Sequence, residues 1–341
     1  MHHRERSSAS ERESFDSFTS SVGTFTPPTA PKPRSKVFSA VLYQLERFAD
    51  DDSITILFEG ESGTGKNWLA RRAHQLSRRA TRVVHEISLA TVVDSLAPSE
   101  LFGHEPGAFT DARGRRTGAF QSANHGTLFI DEVGKASLAV QRLLLRAVEE
   151  RVIVPVGSDR PAKVDVRLLL ATNVGLESLV AEHQFLPDLF ARFGQFRIQV
   201  PPLRERREDI PDLARYFLSQ HAARRGYTAG LPVIHPDLMN ALQQANWKYN
   251  LRDLDGAMHR LLVEADSAAF LTFEHCVDNL KYLREYKRGG TTKVSRTTVA
   301  AAVTRTDSVA GAARALGTSR STIYRRLATV DEPPPQPTVA D

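Results

Sequence analysis

Cysteine is almost missing from this chain: Cys276 is the only one in 341 residues, so neither an intrachain disulfide nor a thiolate zinc site can be built. A lone thiol fits a reducing cytoplasm, where the chain is expected to reside. The 11 histidines are scattered, and His74, His183 and His259 fall on expected helices as surface or packing residues. No Gly-x-Ser-x-Gly follows an apolar strand pattern, which sets aside a serine hydrolase. Every apolar run falls short of the roughly 20 residues that a membrane span needs. The N-terminus, with His2, His3, Arg4 and Arg6 followed by polar residues, lacks a secretory apolar stretch. The 41% of hydrophobic residues that remain suffice for cores in about two to three domains.

What is present begins with Gly60-Glu61-Ser62-Gly63-Thr64-Gly65-Lys66, which follows the apolar run Ile54 to Phe58 and opens a helical pattern from Trp68 to Ala80. Between a strand and a helix, such glycines let backbone amides close around an anion, while Lys66 can reach terminal phosphates. A plain turn is the alternative. Most phosphate loops continue with Ser or Thr, whose hydroxyl meets Mg2+; here the residue is Asn67, so Mg2+ is expected to rely mainly on other ligands.

The chemistry that a cradle of this kind needs follows in Gly126-Thr127-Leu128-Phe129-Ile130-Asp131-Glu132, a buried-strand pattern running into two carboxylates. Asp131 is the candidate Mg2+ ligand and Glu132 the group that orients and polarises the attacking water, so ATP hydrolysis is the expected reaction. Taken alone, the pair would read as an ordinary helix N-cap. A third apolar strand, Val166 to Ala171, ends in Thr172-Asn173, and Asn173 is placed to sense a γ-phosphate, although Asn is also a common turn residue there.

At this point the chain resembles the bacterial enhancer-binding proteins, AAA+ ATPases that activate sigma-54 RNA polymerase. The resemblance covers about residues 37–326. Its most specific element is Glu100-Leu101-Phe102-Gly103-His104-Glu105-Pro106 with Gly107-Ala108-Phe109-Thr110-Asp111-Ala112, matching the family's GAFTGA loop that touches sigma-54. Phe109 and Thr110 stand among small residues with no helical or alternating period, as in an exposed tip. Further similarity lies in Arg113 to Phe120, Val140 to Glu149 and Val200 to Ile210, the last marking the passage to a helical lid. In Asn250-Leu251-Arg252-Asp253-Leu254, the resemblance makes Arg252 the second sensor of the nucleotide. It also makes Arg192 one of two arginine fingers that a neighbouring subunit of a hexamer supplies. The other finger position is Leu186, and Ser88 stands where the family commonly has an Asn beside the catalytic glutamate.

The C-terminal part is separate in charge. Residues 287–326 carry nine basic side chains against Asp307 alone, net +8, while the whole chain is only +5. Ser308 to Gly317 and Thr318 to Leu327 read as helix, glycine turn and helix, with Ala312, Ala313 and Leu316 facing Ile323 and Leu327. The pair resembles a Fis-type helix-turn-helix, which turns Ser319, Arg320, Ser321, Thr322, Tyr324, Arg325 and Arg326 toward DNA. A solvated basic face is the alternative. Residues 1–36, with eight serines and four prolines, read as a disordered arm. An arm of that length leaves no room for a receiver, sensing or forkhead-associated domain, so control is expected from a partner, phosphorylation of the arm, or expression level.

The expected fold class is therefore α/β: an AAA+ P-loop NTPase with a parallel sheet between helices (37–205), a helical lid (206–286), an all-α helix-turn-helix (287–330) and a disordered tail (331–341). The resemblance implies ATP and Mg2+ as cofactors, an upstream enhancer-like DNA site and sigma-54 RNA polymerase as partners, a homo-hexamer, and no membrane. The implied function is ATP-driven remodelling of the polymerase for open-complex formation. The departures at Asp111 and Leu186 favour an alternative, a nucleotide-modulated DNA-binding regulator with weak or no ATPase that does not act through sigma-54; Asn67 and Ser88 are the other two departures. An AAA+ motor with an unrelated client, such as a chelatase or unfoldase, shares the cradle and the acidic pair but not the loop or the helix-turn-helix.

Overall fold

In the computed structural model, the described residues are 31–109, 112, 114–226, 231–266, 268–276, 280–283 and 296–328. The chain divides into two compact units, one built from Val41–Gly60 and Lys66–Gln199, the other from 31–40, Glu61–Gly65 and the described residues from Val200 on.

The first unit is a five-stranded parallel sheet in the order β2-β3-β6-β1-β7, with β1 Ile56–Glu59, β2 Val84–Ser88, β3 Thr127–Asp131, β6 Arg167–Thr172 and β7 Phe196–Gln199. All residues of β1 and β6 are buried, as expected of inner parallel strands. The short pair β4 (Val152–Ile153) and β5 (Ala162–Lys163) is antiparallel and separate. Helix α1 (Lys36–Ala49), which begins in the other unit, precedes β1, and α2 (Lys66–Gln75), α3 (Ala97–Phe102), α4 (Ala119–Ser122), α5 (Leu138–Glu150), α6 (Leu176–Ala181) and α7 (Pro187–Phe193) lie singly or in pairs between the strands along the chain. Leu57, Leu128, Ile130, Leu168 and Leu170 of the sheet pack with Phe102, Phe120, Leu144 and Phe193.

Two local expectations are corrected. The helix expected over 68–80 is α2, Lys66–Gln75: Ser77 Oγ donates to His74 O at 2.6 Å, and reverse turns take over through Ala80 and Arg82. His183 is not helical; it follows α6 with φ of 58°.

The second unit holds α8 (Ile210–Arg224), β8 (Val233–Ile234), α9 (Pro236–Gln244), α10 (Asn250–Glu264) and β9 (Phe270–Leu271), around Leu218, Leu238, Leu242, Trp247, Leu254, Met258 and Leu261. Arg34 and Ser35, assigned by composition to the arm, are fixed here: both backbone amides donate to Asp209 Oδ1, at 2.6 and 2.8 Å. The rest of the expected arm, residues 1–30, and the expected tail lie outside the described residues.

Three further helices, α11 (Arg296–Thr306), α12 (Val309–Ala315) and α13 (Arg320–Ala328), close on Val299, Ala302, Ala312, Ala313, Leu316 and Ile323, with Leu327 partly buried against them. Helix α11 goes beyond the two helices expected from sequence. Its core contribution is only the small stripe Val299 and Ala302, which carries little periodic signal.

Candidate functional site

The carboxyl ends of the first unit's parallel strands gather most of the expected catalytic residues, as parallel α/β sheets do. Gly60 follows β1 and donates its amide to Thr172 O at 3.2 Å. Lys66 opens α2, is only 5% exposed, and donates from Nζ to Gly60 O at 2.7 Å. Asp131 ends β3, and its Oδ1 accepts the Glu132 amide at 3.0 Å. Burial holds the Asp131 carboxyl above its ordinary pKa and the neighbouring Glu132 adds to this, while Lys66 opposes it. Glu132 takes a left-handed φ of 55°, rare for a residue with a Cβ, and its Oε2 accepts the backbone amide of Asn173 at 3.1 Å. Lys66, Asp131, Glu132 and Asn173 thus form one neighbourhood.

Asn67 faces β2: its Nδ2 donates to Glu86 Oε1 at 3.0 Å, and Arg71 Nη2 donates to Glu86 Oε2 at 3.0 Å. Ser88 lies opposite Asp131 in the strand register. Arg192, in the last turn of α7, donates from Nε and Nη2 to Glu149 Oε1 at 3.2 and 3.1 Å, apart from the acidic pair. Leu186 packs against the hydrophobic core and its amide donates to Gln141 Oε1 at 2.8 Å.

The loop's middle, Glu61–Gly65, is organised within the second unit. Gly63 and Gly65 have φ of 77° and 105°, and a Cβ on Gly63 would lie 2.2 Å from Tyr249 O, so only glycine fits there. Asn250, fully buried with φ of 54°, donates to Ser62 O at 2.9 Å and Glu61 Oε2 at 3.2 Å and accepts the Leu203 amide at 2.7 Å. Arg204 grips Glu61 with two bonds of 2.6 and 2.9 Å, which holds the Glu61 carboxyl below its ordinary pKa. Arg206 donates to Thr64 O at 2.5 Å, with its guanidinium 4.1 Å from the Phe38 ring centroid; burial lowers its pKa to about 10. Arg252 Nη1 is 3.5 Å from Ser62 Oγ, a long contact. Sequence reasoning singled out Arg252 and missed Asn250, Arg204 and Arg206 as loop supports. Their signal was adjacency, since all three sit inside segments noted only for similarity.

In the second expected loop, Gly107 and Ala112 close a turn through the Gly107 amide on Ala112 O at 2.8 Å, and Ala112 is buried. Ala108 packs against Gly157. Phe109 is 39% exposed, and its ring meets His104 edge-on at 4.9 Å between centroids. His104 is itself buried and bonded through Nδ1 to Ser99 Oγ at 2.7 Å. Thr110 and Asp111 lie outside the described residues. On α13 and the turn before it, Ser319, Arg320, Ser321, Tyr324 and Arg325 are exposed, while Thr322 and Arg326 are partly so. Ser319 Oγ accepts the Thr322 amide at 3.1 Å, capping the helix start.

A parallel sheet with a glycine-rich loop after β1, an acidic pair after β3 and a helical lid defines an AAA+ P-loop NTPase fold. Residues 33–199 match the sigma-54 interaction domain and 204–291 the AAA+ ATPase lid domain, so the chain carries the AAA+ ATPase module of the sigma-54 interaction family. It is 44% identical over 234 residues to the transcriptional regulatory protein ZraR of Klebsiella oxytoca, covering 67% of this chain and 51% of that protein. It is 46% identical over 213 residues to the DNA-binding transcriptional regulator NtrC of Salmonella typhimurium, covering 62% and 45%. The chain therefore spans about half the length of these curated relatives. Among solved structures, NtrX from Brucella abortus in complex with ATP superposes with a TM-score of 0.67 at 29% identity, covering 93% of this chain and 71% of that one.

Proposed function

We propose that this protein is a DNA-bound ATPase that assembles into a ring and spends ATP hydrolysis on moving the Phe109 loop against sigma-54 RNA polymerase. The observation that carries the reading is the convergence of Lys66, Asp131, Glu132 and Asn173 at the sheet's carboxyl edge. The chemistry derives from these groups: Lys66 neutralises the terminal phosphates, Glu132 orients water and takes up its proton as the oxygen bonds to the γ-phosphorus and the bond to the β–γ bridging oxygen breaks, releasing ADP and phosphate, and Asn173 contacts the γ-phosphate. Among the described residues no cluster of three or more His, Cys, Asp or Glu could hold a metal. Asp131 is the residue that would hold Mg2+, and a cation there would offset the desolvated carboxylate. Such an ion supplies neutralisation of the charge developing on the phosphate oxygens.

Arg192, about half exposed and paired with Glu149, is the residue offered to a neighbouring subunit. Steady-state ATP turnover across protein concentrations is the test: specific activity should rise with concentration and collapse in Arg192→Ala. The core-packed Leu186 in place of a second arginine favours the other reading, a nucleotide-responsive DNA-binding regulator. Tight ATP binding without turnover at any concentration would establish that reading instead. For DNA, the exposed face of α13 with Arg320, Arg325 and Arg326 is the proposed reading surface. Removing Arg325 and Arg326 together should lower the log–log salt slope of binding by about 2.

A further inference from the structure

A buried carboxylate has no part in the chemistry above. Glu59, the last residue of β1, is 4% exposed, and removing a carboxylate from water is costly unless its oxygens are satisfied. Both are. Oε1 accepts the backbone amide of Leu176 at 3.3 Å; Oε2 accepts Gln199 Nε2 at 2.5 Å and lies 3.6 Å from Arg197 Nε. Glu59 sits beside Thr172 in one strand register and Gln199 in the other, so its side chain ties β1 to both neighbours just before the phosphate loop begins.

The tie to Leu176 matters most because of what lies before it. The segment from Thr172 to Leu176 is pinned at its start by the Gly60 amide on Thr172 O and at its end by Glu59 on the Leu176 amide. Within it, Thr172 Oγ1 donates to Val174 O at 3.1 Å and accepts the Val174 amide at 3.2 Å, which tightens the bend at Asn173. The apex residue then delivers its own amide to Glu132 Oε2. A hydrogen-bonded path therefore runs from the base of the phosphate loop through the 172–176 bend to the water-orienting carboxylate.

We propose that Glu59 is a positioning residue that fixes Asn173 and Glu132 relative to β1 and Gly60, and so sets the discrimination between ATP and ADP. This role rests on the nucleotide reading above. Glu59 touches neither nucleotide; it holds the bend whose apex meets only the third phosphate. Its loss should act on ATP and spare ADP.

The experiment uses the full chain, with calorimetric affinities for ADP and a non-hydrolysable ATP analogue, turnover, and thermal melting, for wild type, Glu59→Gln and Glu59→Ala. Gln keeps the shape and exchanges one acceptor for a donor, so it guards against an Ala variant that does not fold. We expect ADP affinity within about twofold of wild type, the preference for the ATP analogue reduced at least about tenfold, and turnover reduced with KM little changed. An unchanged preference in a folded Glu59→Gln overturns the proposal. So does equal weakening of both nucleotides with a lowered melting temperature, which is the signature of simple scaffolding. A wild-type chain that binds neither nucleotide removes the nucleotide reading and this role together, whereas a discriminating wild type with an equally discriminating variant removes only the role of Glu59.

Discussion

The two ends of the five-stranded sheet both bury charge, and they do so in opposite ways. At the amino ends of the strands, Arg167 is 1% exposed and gives Nη1 to Ala49 O and Asp52, at 2.7 and 3.1 Å, and Nη2 to Phe48 O at 3.1 Å. Arg79 joins it through Gly126 O, Asp165 O and Asp165 Oδ1, the last at 2.7 Å, and holds the Asp165 carboxyl below its ordinary pKa. At the carboxyl ends, Asp131 is desolvated, has Glu132 and Glu86 for electrostatic neighbours, and sits above its ordinary pKa. The Arg167 and Arg79 guanidiniums find most of their partners within the fold, as Glu59 does at the other end, whereas Asp131 holds a charge that a ligand would satisfy.

This contrast breaks if catalysis and stability do not separate. The largest expected effect is on turnover in Glu132→Gln: a loss of about 10^2 to 10^4-fold with ATP binding and melting temperature retained, read by single-turnover hydrolysis and calorimetry. Unchanged turnover removes Glu132 from the proposed chemistry. At the opposite end, Arg167→Met should cost about 3 kcal/mol in urea unfolding, since two backbone carbonyls lose their charged donor and Asp52 keeps only Arg79, while nucleotide affinity well below the melting temperature stays at the wild-type value. Equal effects on stability and affinity would show that the two ends are not independent. Lys66→Ala should weaken ATP by roughly 10- to 100-fold, the order expected for losing a charged donor. Full ATP affinity in that variant would break the assignment of the phosphate loop.

The features legible in the sequence were those that recur along the chain at fixed spacing. Apolar runs ending in Gly60, Asp131 and Asn173 located three strands and their polar ends, because buried parallel strands leave continuous hydrophobic stretches. What could not be read was anything that depends on pairing across the sheet or on backbone sign. Glu59 reads as an ordinary charged strand end until β6 and β7 are placed beside it. Asn250 reads as a helix start, yet its side chain serves the phosphate loop 188 residues away. The left-handed turn at Glu132 leaves no mark in the residue type, and the stop of α2 at Gln75 depends on one serine hydroxyl reaching back to His74 O. Helix α11 was missed because alanine and valine alone define its buried stripe.

The smallest expected effect sharpens the comparison most directly. A carboxyl held above its ordinary pKa keeps its proton longer in the folded state than in the unfolded one. Its favourable contribution to stability is complete below the unfolded value, near pH 4, and is lost as pH rises through the folded value. At neutral pH the ionised Asp131 therefore works against folding. Asp131→Asn removes that ionisation, so without nucleotide the variant should melt above wild type at pH 7.5, and the gap should close toward pH 4. The sign is opposite for Asp165, whose carboxyl is held below its ordinary pKa by Arg79: Asp165→Asn should melt below wild type at pH 7.5, with the deficit shrinking as acid protonates the wild-type group. Two like substitutions at the two ends of one sheet should thus shift stability in opposite directions. A pair of variants that moved together with pH would mean that solvent and neighbouring charges, rather than the ends of the sheet, set the state of these carboxylates.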